Sequence, residues 1–455
     1  MFSKVLIANR GEIALRVVRA CRELGLKTVG VFSEPDANLL HLRFVDQKVA
    51  LGGSSAVETY LNIPKIIRAC EVTGADAVHP GYGFLAENAA FVAELEKRGI
   101  TFIGPEVSVL QKMKNKLQAK RLMHEANVPV IPGSLEPIKS FADAHDIAKE
   151  IGFPLLLKAC LGGGGRGIRV ITSEEDLKKS FDSARREAQA SFGNDELYIE
   201  KLINCARHIE VQVLADRFGN VIHLGERECS LQRRRQKILE EAPAVNLPES
   251  LRSQILSAAV RGAKAIGYTT CGTFEFLVTP EGEFYFMELN ARIQVEHPVT
   301  EEISGVDLVR EQIRLAAGER LLLRQEDILL RGHAIEMRIN AEDPEKQFAP
   351  SPGRITQFEI PRGPGIRVDS HCYSGYTVPP YYDSLVAKLI VWDCNRDFAI
   401  RRSREALRAF LIEGIATTIP FHLKILSHPN FLEGNLHTRF VEEMWQEAKG
   451  GEGKR

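Results

Sequence analysis

Six residues, Gly162-Gly163-Gly164-Gly165-Arg166-Gly167, stand between two short apolar runs, Leu155–Ala159 and Ile168–Ile171. The run satisfies GxGxxG, but a dinucleotide fold needs a strand before that motif and a helix after it. Here both flanks read as strands, so that fold is excluded. No GK[ST] follows, which excludes a P-loop. What remains is a glycine-tipped hairpin. Such a tip can lay bare backbone N–H groups over a nucleotide's phosphates; the competing reading is a plain flexible turn. Lys158, near the end of the first strand, adds a point charge suited to phosphate.

The rest of the chain sorts around that hairpin. Lys4–Ala8, Lys27–Phe32, Asp76–His79 and Thr101–Ile103 read as strands, and Gly11–Leu24 reads as a helix with Ile13, Val17, Val18 and Cys21 on one side. Alternating strands and helices predict a parallel sheet with functional loops at its strand ends. A boundary falls near residue 113, where Lys112–Lys116 is expected to open a helix. Glu174–Gln189 reads as a helix and Glu196–Leu202 as a strand. Beyond about residue 204 strands dominate. Two hairpins are expected there, Ile209–Leu214 with Val221–Leu224 and Thr273–Val278 with Glu283–Met287. Arg396–Leu411 reads as an amphipathic helix. At 455 residues the chain has two to four domains' worth of length. Its 59 Lys and Arg against 60 Asp and Glu argue against a dedicated nucleic-acid or membrane-surface binder. Eight cysteines, never closer than 22 residues, form no CxxC and suit a reducing cytoplasm. The N-terminal apolar run is too short for a signal peptide, and no apolar stretch of about 18 residues follows.

The segment Glu288-Leu-Asn290-Ala-Arg292-Ile-Gln294-Val-Glu296 carries the most chemistry. Even positions are polar and odd positions apolar, so a strand here puts two carboxylates, two amides and a guanidinium on one face. A half-exposed strand also alternates, but seldom with this set of side chains. An antiparallel hairpin through Pro280-Glu281-Gly282 brings Glu275 beside Glu288. Two adjacent carboxylates call for a cation, and Mg²⁺ shared with nucleotide phosphates meets that need; pairing with nearby arginines is the plainer alternative. Arg338 lies on an alternating strand, Ala334–Asn340, with Glu336 and Asn340. His208 and Glu210 share a face of another. The run Arg233–Lys237 is basic, and such runs are usually solvated. Cys229 has no triad around it and reads as an inert thiol.

Together these residues resemble the biotin carboxylase family of the ATP-grasp superfold, of the type that serves acetyl-CoA or pyruvate carboxylases as a separate polypeptide. The matching stretches are Ala8-Asn-Arg-Gly-Glu-Ile-Ala14, His79-Pro-Gly-Tyr-Gly-Phe-Leu85, Gly162–Gly167, Arg292-Ile-Gln-Val-Glu-His-Pro-Val299 and Arg338-Ile-Asn-Ala-Glu-Asp-Pro344. The resemblance implies a mixed α/β and α+β fold. It divides into a Rossmann-like N-terminal domain (1–113), linker helices and a mobile lid (114–203), a metal and catalytic core (204–330), a C-terminal region (331–446) and a polar tail (447–455).

The same resemblance implies ATP-dependent carboxylation of biotin by bicarbonate, through carboxyphosphate, to N1-carboxybiotin, ADP and phosphate. It maps Lys116, Lys158, Gly162, Gly163, Gly164, Gly165, Gly167, Glu200, Lys201, Leu202, His208, Glu275 and Glu288 to ATP. Glu275, Glu288 and Asn290 map to Mg²⁺ (or Mn²⁺), and Lys237, Arg292 and Val295 to bicarbonate. Tyr82, Gln294 and Arg338 map to biotin. Glu296 becomes the base that deprotonates bicarbonate, and Arg338 the group that steadies the biotin enolate. Arg292, on the same strand face, is expected to keep Glu296 ionised. Three positions depart from the family pattern: Arg235 for His, Asn115 for Asp and Leu161 for Gly. No AMKM biotin-attachment site is present, since Lys112-Met113-Lys114 fails it. Biotin is therefore expected on a separate carrier protein, beside a carboxyltransferase subunit, in a homodimeric cytoplasmic enzyme. The final acceptor, among acetyl-CoA, propionyl-CoA, pyruvate and 2-oxoglutarate, belongs to that carboxyltransferase. The rivals are a carboxyphosphate-forming ATP-grasp ligase without biotin, and a non-catalytic nucleotide-sensing subunit. The joint presence of Lys116, Lys158, Glu275, Glu288, Glu296 and Arg338 speaks against the second.

Overall fold

The computed structural model of the chain describes residues 2–161 and 167–452. Residues 162–166 of the glycine run, with the phosphate contacts expected of Gly162, Gly163, Gly164 and Gly165, lie outside them, as do the last three residues of the polar tail.

The N-terminal layer is a parallel sheet of β1 (Lys4–Ile7), β2 (Lys27–Phe32), β3 (Gln47–Ala50), β4 (Ala77–His79) and β5 (Thr101–Phe102), in the order β3-β2-β1-β4-β5. The helix Gly11–Glu23 follows β1 and buries Ile13, Val17, Val18 and Cys21, the face its periodicity predicts. Strand order reverses between β1 and β4, which opens a crevice at their carboxyl ends. Asn9, just after β1, donates from Nδ2 to the carbonyls of Pro80 and Tyr82, both at 2.7 Å. Gly81 between them has φ +62°, and a Cβ there would stand 2.8 Å from that amide nitrogen. The turn that presents Tyr82 therefore needs glycine. Exposed β3 is a strand the sequence pattern does not announce, because only one of its four residues is even half-buried and apolar.

The lid is a three-stranded antiparallel sheet, β6 (Leu155–Ala159), β7 (Ile168–Ile171) and β8 (Leu197–Lys201), in the order β7-β6-β8. Helices Phe141–Ile151 and Glu174–Phe192 pack on it through Ala144, Ala148, Leu177 and Phe181. Gly167 leads into β7 at φ +68°, its carbonyl accepting from Ala159 N at 3.0 Å. The helix expected to open at Lys112–Lys116 is instead a junction. Helix Val107–Lys114 ends there and Lys116–Glu125 begins. Asn115 caps the second helix, its side chain accepting from Leu117 N and Gln118 N at 3.0 Å. An aspartate would do the same, so this departure from the family pattern leaves the cap intact.

The largest sheet has eight strands: β9 (Arg207–Ala215), β10 (Val221–Arg233), β11 (Gln236–Ala242), β12 (Thr270–Val278), β13 (Phe284–Asn290), β14 (His333–Asn340), β15 (Ile366–Ser370) and β16 (Leu385–Asp393). Their order is β13-β12-β9-β10-β11-β14-β16-β15, so the sheet runs unbroken across residue 330 through the antiparallel pair β11–β14. Both expected hairpins are present, as β9–β10 and β12–β13. One face carries Ile209, Val211, Phe274, Phe276 and Leu289 into a core shared with helix Glu249–Ala265. Each such side chain contributes about 1.5–3 kcal/mol of burial. The opposite face is polar at its centre and apolar toward one end, where Leu214, Leu224 and Cys271 pack against the N-terminal layer.

Glu241 ties β11 to its surroundings. Its carboxylate meets His333 Nε2 at 2.7 Å and accepts from Arg396 Nε at 2.7 Å and Nη2 at 3.1 Å. Burial opposes its ionisation, but His333 and Arg396 outweigh burial and hold the carboxyl at about 2. This stability is present above the ordinary glutamate pKa and is lost as pH falls from there toward 2. Glu241→Gln leaves Arg396 without its buried anion. It should lower unfolding stability at pH 7 by about 3 kcal/mol, read from denaturant midpoints, with the gap narrowing below about pH 4. Equal midpoints at pH 7 would refute this account of the pair.

Candidate active site

Four strands place one row of charges across the polar face. In register, Glu288 on β13 faces Glu275 on β12, Glu275 faces Glu210 on β9, and Glu210 faces Arg227 on β10. Glu210 and Glu275 are buried and Glu288 is half-exposed, and such neighbours cannot all stay ionised without cations among them. Lys237, on β11, reaches into the row. Its Nζ lies 2.9 Å from Glu275 Oε1, 2.8 Å from Glu296 Oε1 and 3.3 Å from Gln294 Oε1, and it also bonds Glu210. Arg227 is fully buried behind it, donating to Glu210 at 3.0 Å and to Gln212, Thr273 and Thr300. On the other flank His208 Nε2 lies 3.0 Å from Glu275 and 3.3 Å from Glu210.

The titrations follow from that packing. Burial opposes charge on Glu210, Glu275, Lys237, His208 and Arg227. Lys237, His208 and Arg227 nonetheless hold Glu210 at about 2, and Lys237 and His208 hold Glu275 well below the usual carboxylate range. The same carboxylates keep Lys237 protonated and raise His208 to about 9. Glu296 is lowered despite burial, by Lys237 first and Arg338 next. The expectation that Arg292 does this is corrected in rank, since Arg292 and Glu296 feel each other's charge but Lys237 and Arg338 dominate. Arg292 donates instead to Glu87 Oε2 at 3.1 Å and Asn290 Oδ1 at 2.9 Å.

A second correction concerns the strand 288–296. β13 stops at Asn290. Glu87 takes the Ala291 N–H at 2.9 Å, drawing the chain off the sheet. Glu296 then becomes the N-cap of helix His297–Ser304, which has Pro298 in its first turn. Arg292, Gln294 and Glu296 thus come from a loop, not a strand face. Gln294 and Glu296 still converge on Lys237 because that loop curls over the sheet. Arg338 on β14 closes the far side, with Nη2 2.9 Å from Glu296 Oε2 and Nε 2.6 Å from Glu240 Oε1. The basic run 233–237 also divides. Arg234 and Arg235 form the β10–β11 turn at positive φ, Arg233 stacks over Phe348 at 4.2 Å, and Lys237 alone enters the site.

The remaining assigned residues form two outer groups. Lys116 Nζ donates to Glu288 at 3.2 Å. In the lid, Glu200 joins Lys158 at 2.5 Å and Lys120 at 3.2 Å. Lys201 is not brought into this group, since its Nζ donates to the Ile151 carbonyl at 2.8 Å, and Leu202 N bonds Pro154 O at 3.3 Å. Tyr82 bonds Glu12 on the N-terminal layer. Arg227, Glu240, Glu87 and Lys120 escaped the sequence reading. Alternation on β10 and β11 is the one signal that could have raised the first two.

Glu275, Glu288 and Asn290 are hard oxygen donors on two paired strands, with no thiolate among them, a set suited to Mg²⁺ or Mn²⁺. In this structure lysine ammoniums supply the positive charge beside Glu275 and Glu288. The donor chemistry fits the ion. Among the described residues no helix is long and apolar enough to cross a membrane.

Residues 1–110 match the biotin carboxylase N-terminal domain, 115–324 the ATP-binding domain of the carbamoyl-phosphate synthase L chain, and 336–443 the biotin carboxylase C-terminal domain. A biotin carboxylase of Nostoc is 54% identical over 97% of this chain and 99% of its own. The 2-oxoglutarate carboxylase small subunit of Hydrogenobacter thermophilus is 51% identical over 97% of this chain and 94% of its own. The crystal structure of a biotin carboxylase–β-γ-ATP complex from Campylobacter jejuni superposes with a TM-score of 0.93 at 49% identity, covering 97% of this chain and 99% of that one. With three domain models in sequence, half-identical relatives along nearly the full length and a shared architecture, the chain belongs to the biotin carboxylase family of ATP-grasp ligases.

Proposed function

We propose that the residues around Lys237 divide among them the family's reaction, the ATP-dependent carboxylation of biotin by bicarbonate. One observation carries this reading. A single buried ammonium touches Glu296, Glu275 and Gln294 at once, while Arg338 holds the other oxygen of Glu296. A base for bicarbonate must be ionised and must sit beside cations that accept the dianion it creates. Glu296, lowered by Lys237 and Arg338, meets both needs.

Lys237 and Arg292 bind bicarbonate with the main chain of Val295, and Glu296 removes its proton. The oxyanion attacks the γ-phosphorus of ATP, displacing ADP and forming carboxyphosphate. Lys116, Lys158 and His208 balance charge on the phosphates, and Glu200 fixes Lys158. Glu275, Glu288 and Asn290 would hold a divalent cation that screens the phosphate charge. The glycine run supplies main-chain N–H groups to those phosphates. Excluding water protects carboxyphosphate, which otherwise hydrolyses. Carboxyphosphate yields CO₂ and phosphate, phosphate takes the N1′ proton of biotin, Arg338 stabilises the enolate oxygen, and N1′ then attacks CO₂ to give carboxybiotin. Tyr82 and Gln294 frame the ureido ring. Glu240, at 2.6 Å, aims the Arg338 guanidinium.

Biotin arrives on a carrier protein and passes its carboxyl group to a carboxyltransferase subunit. Relatives are named for pyruvate and 2-oxoglutarate carboxylation, and one was crystallised as a biotin carboxylase domain dimer. These names support a split, homodimeric carboxylase whose acceptor is set by the partner; its widely spaced free thiols suit work in a reducing cytoplasm. Domain roles follow the same division: nucleotide lid over 114–203, chemistry over 204–330, and biotin-side support over 331–446.

Phosphate release from Mg-ATP and bicarbonate should rise strongly when free biotin is added. Turnover indifferent to biotin, with or without a biotinylated carrier, would favour another carboxyphosphate-forming ligase. Glu296→Gln should lower biotin-dependent phosphate release by roughly 10²- to 10⁴-fold while nucleotide binding, followed by calorimetry, persists. Arg338→Met should depress carboxybiotin formation more than bicarbonate-dependent ATP cleavage. A wild-type rate in Glu296→Gln would remove the assigned base. Glu288→Gln should raise the Mg²⁺ concentration for half-maximal activity, and an unchanged Mg²⁺ titration would reject Glu288 as a ligand.

A further inference from the structure

Lys388 lies on β16, directly opposite Arg338 in the β14–β16 register, and its side chain is fully buried. An ammonium so far from water is unfavourable unless its hydrogen bonds are well used. Two partners are fixed. Its Nζ lies 3.1 Å from Glu12 Oε1, in the first turn of helix Gly11–Glu23, and donates to the Val295 carbonyl at 2.9 Å. Glu12 is equally buried and also receives the Tyr82 hydroxyl. Asp369 adds negative charge around Lys388, Glu336 does so only when ionised, and Arg367 opposes both. The loop that carries Val295 has left the sheet at Asn290, so its carbonyls have no ladder partners. Lys388 supplies one by side chain.

We propose that Lys388 is a positioning residue for bicarbonate. It anchors the Val295 carbonyl, fixes the peptide leading into Glu296, and through Glu12 and Tyr82 ties that loop to the N-terminal layer. This rests on the reading of Val295 and Glu296 as the bicarbonate-side residues. Fixing the Val295–Glu296 peptide sets the direction from which the Glu296 carboxylate leaves the main chain. It also limits tilt of the Val295 amide. Lys388 touches neither substrate nor reacting atoms, so its loss should alter alignment while leaving the ATP side untouched. Glu12 has a second role. It is the one carboxylate bonded to both Lys388 and Tyr82 among the described residues, so it joins the loop to the biotin side.

The test is steady-state kinetics of the full chain carrying Lys388→Met, Lys388→Arg or Glu12→Gln, with bicarbonate, Mg-ATP and biotin each varied. Lys388→Met should raise the bicarbonate KM or lower kcat/KM for bicarbonate roughly ten- to hundredfold. The Mg-ATP KM should stay within about twofold. Lys388→Arg, which can still donate to the carbonyl, should recover a large part. Glu12→Gln should raise the biotin KM with a smaller bicarbonate effect. If Lys388→Met does not fold, the double substitution Glu12→Leu with Lys388→Met removes both buried charges together. It should restore folding but keep the bicarbonate defect. A folded Lys388→Met or double variant with an unchanged bicarbonate kcat/KM overturns the proposal. So does an equal loss on the ATP and bicarbonate sides. Glu296→Gln, run in parallel, separates the two readings: if it alone is inactive, the bicarbonate site stands and the Lys388 proposal falls.

Discussion

The buried ammonium of Lys237 is the interaction on which the site depends. Glu210, Glu275 and Glu296 all turn toward it, and none could remain ionised so close together without it. Arg227 and His208 share the load from behind and from the flank. Removing one carboxylate leaves the cluster cationic, and removing Lys237 leaves it anionic. Either change spreads to every partner, because burial raises the stakes of each pairing. The cluster is therefore a single electrostatic unit assembled from β9, β11, β12 and the loop after β13.

That unit requires the sheet to continue across four segments of chain. Glu275 and Glu288 come from one hairpin, Glu210 from its neighbour, and Lys237 and Arg338 from β11 and β14, whose pairing joins the last third of the chain to the middle. The N-terminal layer enters at two points. Glu87 pulls the chain off the sheet after Asn290, and Glu12 meets Lys388 beneath Val295. The 291–296 loop is thus held from both sides by side chains remote in sequence. Its functional groups owe their placement to those anchors and not to strand pairing.

This explains what could be read in advance. The Glu275–Glu288 pair was legible because a Pro-Glu-Gly turn between alternating runs sets hairpin register locally. The lid strands around the glycine run were legible for the same reason, and so was the apolar face of Gly11–Glu23. The end of β13 was not, because the alternation continues through Glu296 and the group that breaks it is 204 residues away. Lys237 was assigned by resemblance alone. Within Arg233–Lys237 nothing separates the residue that turns inward from the four that do not, until a tight turn at Arg234 and Arg235 sets their directions. Arg227 was hidden because alternation gives at most its face; its role is defined by partners on β9, β12 and helix His297–Ser304.

A further constraint lies beyond Arg338. Glu240 and Glu336 face each other across β11 and β14, both fully buried. Glu240 has one oxygen on Arg338, while its other oxygen and both of Glu336 find no hydrogen-bond partner among the described residues. Burial first pushes both carboxyls up, with repulsion from Glu296 at Glu240 and from Glu240 and Glu296 at Glu336, although Arg338 pulls both down and Lys388 pulls on Glu336. A pair that retains a proton places less negative charge against Arg338 than two ionised groups would. Arg338 then keeps more of its positive field for the side it shares with Glu296, where the chemistry requires an ionised base and a cation able to receive an oxyanion. Two carboxyls that resist ionisation thus keep a less anionic floor beneath a charged site, on one and the same strand pair.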